Sequence, residues 1–237
     1  LTSQGAKARR LLLDAMLGVE ERFSQPEALV HLAAVPAPGI VPDHHTFINN
    51  ITSTWNVFSA ARRAGVTNIV WASSETVLGL PFDTPPPYIP VDEGYPPRPE
   101  STYSLVKTLE EAMAVQLCRW NPELKMIGLR FSNVMEPGDY ARFPSFDDDP
   151  GSRKWNLWGY IDARDGAQAV RLALESELTG TEVFIIANAD TVTSRPNAAL
   201  VKEFYPDVEV RGDLGEHDTL LSIDKARRML GYQPAYG

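Results

Sequence analysis

The sequence predicts an α/β protein in which a parallel β-sheet is covered by helices on both faces. Short, continuous apolar runs alternate along the chain with longer segments whose apolar residues recur at helical spacing. Unbroken apolar runs are typical of strands buried on both faces, and parallel strands need crossover connections that are usually helical. We therefore expect a doubly wound parallel sheet built from right-handed βαβ units.

Four apolar runs predict the strands of this sheet. The run at residues 28–35, ALVHLAAV, also fits a buried helical segment, because periodicity alone does not separate the two. The other three runs are NIVWASS, KMIGLRFSNV and EVFIIANA. They predict strands at residues 68–74, 125–134 and 182–189.

Helical spacing predicts the segments between and after these strands. The helix at 47–64 stops at Gly65, and the helix at 160–176 is expected to be capped by Asp162. A helix at 102–120 precedes the third strand, and a last one in SIDKARRMLG closes at Gly231. The sequence begins without Met and runs at once into helical periodicity, which we interpret as the sign of an incomplete chain.

Composition narrows the classes of function. The chain has 237 residues, 43% of them hydrophobic, a formal net charge of −9 and a single cysteine, Cys118. Scattered cations and a negative balance argue against nucleic acid or anionic lipid as a partner. The longest apolar stretches are far shorter than the roughly 20 residues of a membrane span. We expect a cytoplasmic protein with a small-molecule ligand and, because FDDDPG reads as a solvated acidic turn, no metal site.

A proline-rich segment separates the second strand from the helix at 102–120. Residues 81–99 contain 8 of the 19 prolines, which predicts a stiff, irregular loop. The loop is either a rigid surface arm or a wall over a ligand site. In the second alternative the loop leaves the end of one strand, where ligands of such sheets bind, and returns to the helix that carries Tyr103.

Tyr103 and Lys107 are four residues apart on the predicted helix and therefore share one face. A nearby ammonium favours a phenolate and is expected to lower the pKa of Tyr103, which makes the phenol usable as an acid or base. The alternative is a structural tyrosine with a solvated lysine. The preceding strand ends in the hydroxyls of Ser73, Ser74 and Thr76, which are placed to hold a substrate oxygen beside the phenol.

Five ordered motifs, VHLAA, NN, WASSETVLG, STYSLVK and LRFSN, resemble the extended short-chain dehydrogenase/reductase family of NAD-dependent epimerases, dehydratases and sugar dehydrogenases. The resemblance covers residues 28–189 and implies a Rossmann-like fold. It also implies that Tyr103 is the catalytic acid/base, that Lys107 lowers its pKa and binds the nicotinamide ribose, and that Ser74 polarises the reacting oxygen.

The resemblance implies further binding residues. For residues 32–34, the alternative to a binding role is plain packing of the strand. For Asn50, the alternative is a solvated polar residue on its helix. The implied cofactor-binding set is Leu32, Ala33, Ala34, Asn50, Ser73, Tyr103, Lys107, Phe131 and Ser132. The implied substrate-binding set is Ser74, Glu75, Thr76, Asn133 and Arg142. The cofactor is expected to be NAD, with NADP also possible.

The sequence departs from the family pattern at its start. The family opens with a strand and a Gly-rich turn, G-x-x-G-x-x-G, that approaches a pyrophosphate, and no such turn occurs here. The first βαβ part of the fold is therefore expected to be missing from the chain. We predict an N-terminally incomplete core at 1–133 plus 160–189, and a small C-terminal substrate lobe at 134–159 plus 190–237.

The segment at residues 134–159 is short for one that binds a nucleotide diphosphate, which suggests a small substrate. The arrangement resembles the uronate dehydrogenases, and Arg142, Arg153 and Arg164 are candidates for binding a carboxylate. We expect a homodimer through the helices at 47–64 and 102–120. The predicted function is NAD(P)-dependent hydride transfer at a sugar or sugar-acid carbon; the alternative is a non-catalytic NAD(P)-sensing or regulatory protein on the same scaffold.

Overall fold

The computed structural model describes residues 27–237. Its strands are β1 (Ala28–His31), β2 (Asn68–Ser74), β3 (Tyr88–Ile89), β4 (Lys125–Phe131), β5 (Val134–Met135), β6 (Ile161–Asp162), β7 (Gly180–Ile186) and β8 (Glu209–Val210). Its α-helices are α1 (Asp43–Arg63), α2 (Thr102–Trp120), α3 (Phe143–Asp148), α4 (Ala163–Glu175), α5 (Asn197–Phe204) and α6 (Asp224–Leu230). The helical periodicity predicted at the start of the sequence lies outside the described residues.

Within the described residues, β1, β2, β4 and β7 form one parallel sheet in that order. The register places Ser74 of β2 opposite Phe131 of β4, and Phe131 opposite Ile186 of β7. Two short parallel pairs, β3 with β8 and β5 with β6, lie outside this sheet. The predicted α/β class with a parallel sheet is confirmed.

Helices cover both faces of the sheet because successive strand residues point to opposite sides. In β2, Ile69 and Trp71 pack with α1 and α2, whereas Val70 joins the larger cluster that includes residues of α4 and α6. Each face thus buries its own apolar cluster, and the polar ends of the strands are left to form a site.

Gly128 of β4 is required by the side chain of Trp71. A Cβ atom at position 128 would lie 2.7 Å from Cζ2 of Trp71, which is fully buried. The indole therefore occupies the space that a side chain on the neighbouring strand would need. Trp71 belongs to the apolar cluster that also contains residues of α1 and α2.

The first strand is shorter than predicted, because Asn50 of α1 captures the backbone beyond it. The Asn50 Oδ1 accepts the Val35 N–H at 2.7 Å, and its Nδ2 donates to the Val35 carbonyl at 3.0 Å. These bonds hold Val35 against the helix and away from the strand ladder. The prediction of a strand to residue 35 was wrong, because the strand ends at His31.

The proline-rich segment is less irregular than predicted. Tyr88 and Ile89 form β3, and the Val91 N–H donates to the Leu220 carbonyl at 2.9 Å. The segment is therefore joined to the C-terminal region by backbone hydrogen bonds. Apart from the bridge at Val91, the remaining residues of the segment are irregular, as predicted.

Helices α1 and α2 present apolar side chains on their outer faces. Trp55 and Leu109, together with Met113 and Trp120, line a shallow groove between the two helices. Phe58, also on α1, is fully buried in the core and does not contribute to this face. Across residues 27–237, no helix combines the length and the apolar character that crossing a membrane requires.

Candidate active site

A cavity of about 640 Å³ opens at the carboxyl edge of the sheet, where β2 and β4 end. The loop after β1, the turn after β2, the start of α2 and the turn after β4 all contribute to its walls. The predicted site residues that line it are Leu32, Ala34, Ser73, Ser74, Glu75, Thr76, Tyr103, Lys107, Phe131, Ser132 and Asn133. Pro81, the first residue of the proline-rich segment, also lines it together with the preceding Leu80, so the start of this segment does form part of a cavity wall.

Ser74 is held at the cavity by the local structure of its turn. Its hydroxyl caps the 3₁₀ helix at residues 75–78 and accepts a hydrogen bond from the Thr76 N–H at 3.2 Å. The Thr76 hydroxyl donates to the same oxygen at 3.0 Å. The Ser74 hydroxyl thus has a fixed position, and it also forms a side-chain hydrogen bond with Tyr103.

The start of α2 places Tyr103 at the cavity. The Ser101 side chain caps the helix by accepting the Ser104 N–H at 3.1 Å, and the Ser104 side chain accepts the Ser101 N–H at 2.9 Å. This reciprocal pair satisfies two backbone donors and fixes where the helix begins. Tyr103 consequently lies in the first turn, with its ring almost fully buried.

Lys107 lies on the same face of α2, one turn further along. Its Nζ is 5.9 Å from the centre of the Tyr103 ring. The ammonium donates to the Ala72 carbonyl at 2.7 Å and to Oε2 of Glu110 at 2.9 Å. The geometric prediction is therefore met, but the cation also has a buried anionic partner that was not foreseen.

Burial, with a smaller contribution from this partner, reverses the pKa shift predicted for Tyr103. Burial raises the pKa of Tyr103 to about 12, a side-chain hydrogen bond with Ser74 opposes the rise, and the charges of Glu110 and Glu75 add to it. The prediction of a lowered pKa is wrong for this structure. The physical reason is that removing the phenolate from water costs more than the compensated charge of Lys107 returns.

Glu75 forms a buried acidic centre directly after Ser74. Its Oε2 accepts the Ser132 hydroxyl at 2.6 Å, and its Oε1 accepts Nδ2 of Asn156 at 3.3 Å. Burial raises the pKa of Glu75 to about 7, against these hydrogen bonds and the charge of Arg153. The carboxyl group therefore changes its charge near neutral pH while it lines the cavity.

Arg153 holds Asn133, a predicted substrate-binding residue, from behind the cavity wall. Its guanidinium donates to Oδ1 of Asn133 at 2.7 Å and to the Gly159 carbonyl at 2.7 Å. Asn156 donates to the same carbonyl at 2.9 Å. The sequence did not reveal this support, because Arg153 and Asn156 come from a short 3₁₀ helix that has no periodic pattern.

Four further candidates lie outside the cavity wall. Ala33 is in the loop after β1 without lining the cavity, and Asn50 supports that loop through Val35. Arg142 is exposed, with its guanidinium 5.7 Å from the centre of the Phe146 ring. Arg164 pairs with Asp162, the cap of α4.

Comparisons with known proteins agree with this fold. Residues 11–150 match the model of the NAD dependent epimerase/dehydratase family. A UDP-glucose 4-epimerase of Erwinia amylovora is 30% identical over 139 residues, which is 56% of this chain and 38% of that protein. The chain thus spans little more than a third of the length of that relative.

Two other similarities extend over more of the chain. An NAD-dependent glucose-6-phosphate dehydrogenase of Haloferax volcanii is 25% identical over 218 residues, covering 87% of this chain and 67% of that protein. The solved structure of a UDP-glucose 4-epimerase from Thermotoga maritima, with UDP-glucose, superimposes with a TM-score of 0.67 at 22% identity, covering 94% of this chain and 77% of that one. This structural similarity is evidence for the fold alone. Because the family model matches more than half of its residues, the chain belongs to the NAD-dependent epimerase/dehydratase family.

Proposed function

We propose that this protein catalyses NAD(P)-dependent hydride transfer at a carbon of a sugar or sugar acid, with Tyr103 as the acid/base. The observation that carries this proposal is that Ser74, Tyr103 and Lys107 meet on one cavity wall beyond the ends of β2 and β4. In parallel α/β sheets this edge is where ligands bind. Membership of the family supports the same reaction class.

The described residues fit the nicotinamide half of such a cofactor. Two of the three ammonium protons of Lys107 are engaged by Ala72 and Glu110, which leaves one for a ribose hydroxyl. Phe131 and Ser132 line the cavity after β4 and would contact the ring. When bound, a nicotinamide supplies or accepts the hydride, and its oxidised form adds a positive charge that favours the phenolate.

The raised pKa of Tyr103 indicates that the acid/base is protonated before the reaction. With a pKa of about 12, the phenol keeps its proton at neutral pH and can donate it to a carbonyl oxygen held by Ser74. In the oxidative direction the same oxygen must first lose its proton, so that direction is favoured by alkaline pH. Positioning by Ser74 and Lys107 supplies the rest of the catalytic effect.

We further propose that residues 134–159 and 190–237 form the substrate-binding region around the nicotinamide site. Asn133, supported by Arg153, would bind a substrate hydroxyl, and Glu75 and Thr76 would contact it from the β2 side. The substrate itself we propose to be a small sugar or sugar acid. The homodimer is proposed through the apolar groove of α1 and α2, which Trp55 and Leu109 line.

The direct test is turnover by the protein expressed from its gene, measured as the absorbance of reduced nicotinamide with NAD or NADP. A panel of free sugars, uronic acids and nucleotide sugars is compared under the same conditions. Oxidation of at least one member supports the proposal. Tight binding of NAD, measured by calorimetry, without turnover of any member would contradict it and favour an NAD-sensing role.

A further inference from the structure

A chain of buried polar groups leads from the cavity to β1. Lys107 Nζ donates to Oε2 of Glu110, and the Thr54 hydroxyl of α1 donates to Oε1 of Glu110 at 2.8 Å. The Thr54 hydroxyl also lies 3.1 Å from Nε2 of His31. All four side chains are buried, so these groups are separated from the screening effect of water.

Glu110 is distinct from its neighbour Glu111, which has a separate set of partners. Glu111 forms two hydrogen bonds with Arg130 at 2.8 and 2.9 Å and accepts the Ser73 hydroxyl at 2.6 Å. Glu110 turns instead towards α1 and Lys107, and its side chain is fully buried. Among the described residues, the cation that forms a hydrogen bond with the Glu110 carboxylate is therefore Lys107.

The contacts of Glu110 fix the orientation of Lys107. The Ala72 carbonyl and the Glu110 carboxylate hold two ammonium protons, so the third has a defined direction. The buried Glu110 carboxylate also cancels most of the electric field of the Lys107 ammonium, because the two opposite charges are only 2.9 Å apart. The Tyr103 phenol consequently experiences the pair rather than an isolated cation.

We propose that Glu110 is a positioning residue of this active site: it orients Lys107 and sets the pH range in which Tyr103 exchanges its proton. The proposal rests on the function proposed above and adds a residue that does not line the cavity. It assigns Glu110 an electrostatic effect on the phenol that a merely structural residue would lack.

Charged and titratable groups from several packed elements face Tyr103 and Glu110. Around Tyr103, the charges of Glu110 and Glu75 raise the pKa of the phenol, and Ser74 lowers it. Around Glu110, burial and Glu111 raise the pKa of the carboxyl group, while Lys107 and Thr54 lower it. From β1, His31 has a pKa lowered to about 4 by burial and by Lys107, so it is neutral at neutral pH.

The test is the ionisation of Tyr103 in Glu110→Gln, followed through the ring-carbon NMR signal of ¹³C-labelled tyrosine. The Tyr103 signal is assigned by its loss in Tyr103→Phe. Removal of the negative charge is expected to move the phenol titration to lower pH by about one unit. The matched control is Glu93→Gln, which alters another carboxylate whose pKa is raised by burial; Glu93 accepts the Ile185 N–H and does not line the cavity, so the titration should be unchanged.

A second comparison tests the proposal if Glu110→Gln alone fails to fold. Lys107→Met combined with Glu110→Gln removes the buried pair as a unit and leaves no unpaired charge. Tyr103 is expected to titrate at lower pH in the double variant than in Lys107→Met alone. An unchanged titration in both comparisons would overturn the proposal.

Turnover separates this inference from the proposed function. If the enzyme is active, Glu110→Gln should shift the pH profile of the oxidative kcat/KM, which reports the free enzyme, in the same direction and by the same amount as the phenol titration. A uniformly lower rate with an unmoved profile would contradict the inference while leaving the proposed reaction intact. If no substrate is turned over, the proposed function fails, but the NMR titration still decides the effect of Glu110.

Discussion

The Lys107 ammonium lies 5.9 Å from the centre of the Tyr103 ring, and it is bound to the Glu110 carboxylate on the side of α1. Proximity of a cation is therefore not sufficient to acidify this phenol. Burial dominates and keeps the pKa of Tyr103 near 12. The arrangement favours a tyrosine that donates its proton first.

The pH dependence of the two reaction directions should follow from this pKa. Reduction of a carbonyl substrate needs the protonated phenol, so its kcat should stay nearly flat between about pH 6 and pH 9. Oxidation needs the phenolate, so kcat/KM for oxidised nicotinamide, which reports the free enzyme, should rise through the same range. Initial rates with reduced and oxidised nicotinamide across pH test this; an oxidative kcat/KM that is already constant above about pH 7 would contradict the raised pKa.

Glu75 should make the stability of the protein depend on pH near neutrality. Its folded pKa of about 7 lies above the value of 4.5 for an exposed carboxyl group. The folded state then binds more protons than the unfolded state between these values, so stability is full below about pH 4.5 and falls as pH rises through 7. In Glu75→Gln this loss should disappear, a relative gain of at most about 3 kcal/mol at pH 8.

Urea denaturation of both proteins at pH 5 and pH 8 measures the effect. The difference in unfolding free energy between the two pH values should be smaller for Glu75→Gln than for the wild type. Equal differences would show that Glu75 does not hold its proton in the folded protein.

The contact between Gly128 and Trp71 predicts a large effect of one methyl group. In Gly128→Ala the new Cβ would meet the indole at 2.7 Å, and overpacking of this kind costs about 1–3 kcal/mol. Gly138→Ala is the matched control, because a Cβ there meets nothing within 4 Å. Thermal unfolding should show a clear loss for the first variant and little change for the second; equal melting temperatures for the two variants would be inconsistent with this packing.

The outer groove of α1 and α2 should determine the oligomeric state. Leu109 is 37% exposed, and a charge there would have to be buried in the proposed dimer. Leu109→Glu should therefore shift the protein to monomer in sedimentation velocity runs. Val210→Glu places the same charge at another exposed apolar residue, on β8, and should not. A dimer that survives Leu109→Glu would place the interface elsewhere.

The sequence predicted the elements whose ends carry their own signals. β2 and α2 have the predicted bounds, because turn residues border the strand and the Ser101 cap fixes the start of the helix. β1 and α1 differ at their ends, since Asn50 draws Val35 away from the strand and the helix already starts at Asp43, after Pro42.

Tertiary contacts account for what the sequence left undetected. The support of Asn133 by Arg153 joins residues 20 positions apart across a segment without periodicity. Glu110 was detectable in principle, because the i, i+3 spacing places it beside Lys107 on α2. Its burial against Thr54, however, depends on how α1 packs on α2, which no local pattern specifies.

The measurement that tests the account most directly is the turnover of Tyr103→Phe with a substrate that the wild type oxidises. Tyr95→Phe is the matched control, because both rings are 7% exposed and Tyr95 does not line the cavity. Loss of a positioned acid/base should lower kcat of Tyr103→Phe by roughly 10²–10⁴-fold, while Tyr95→Phe stays within a few-fold of the wild type. A Tyr103→Phe variant that transfers hydride as fast as the wild type would contradict the account.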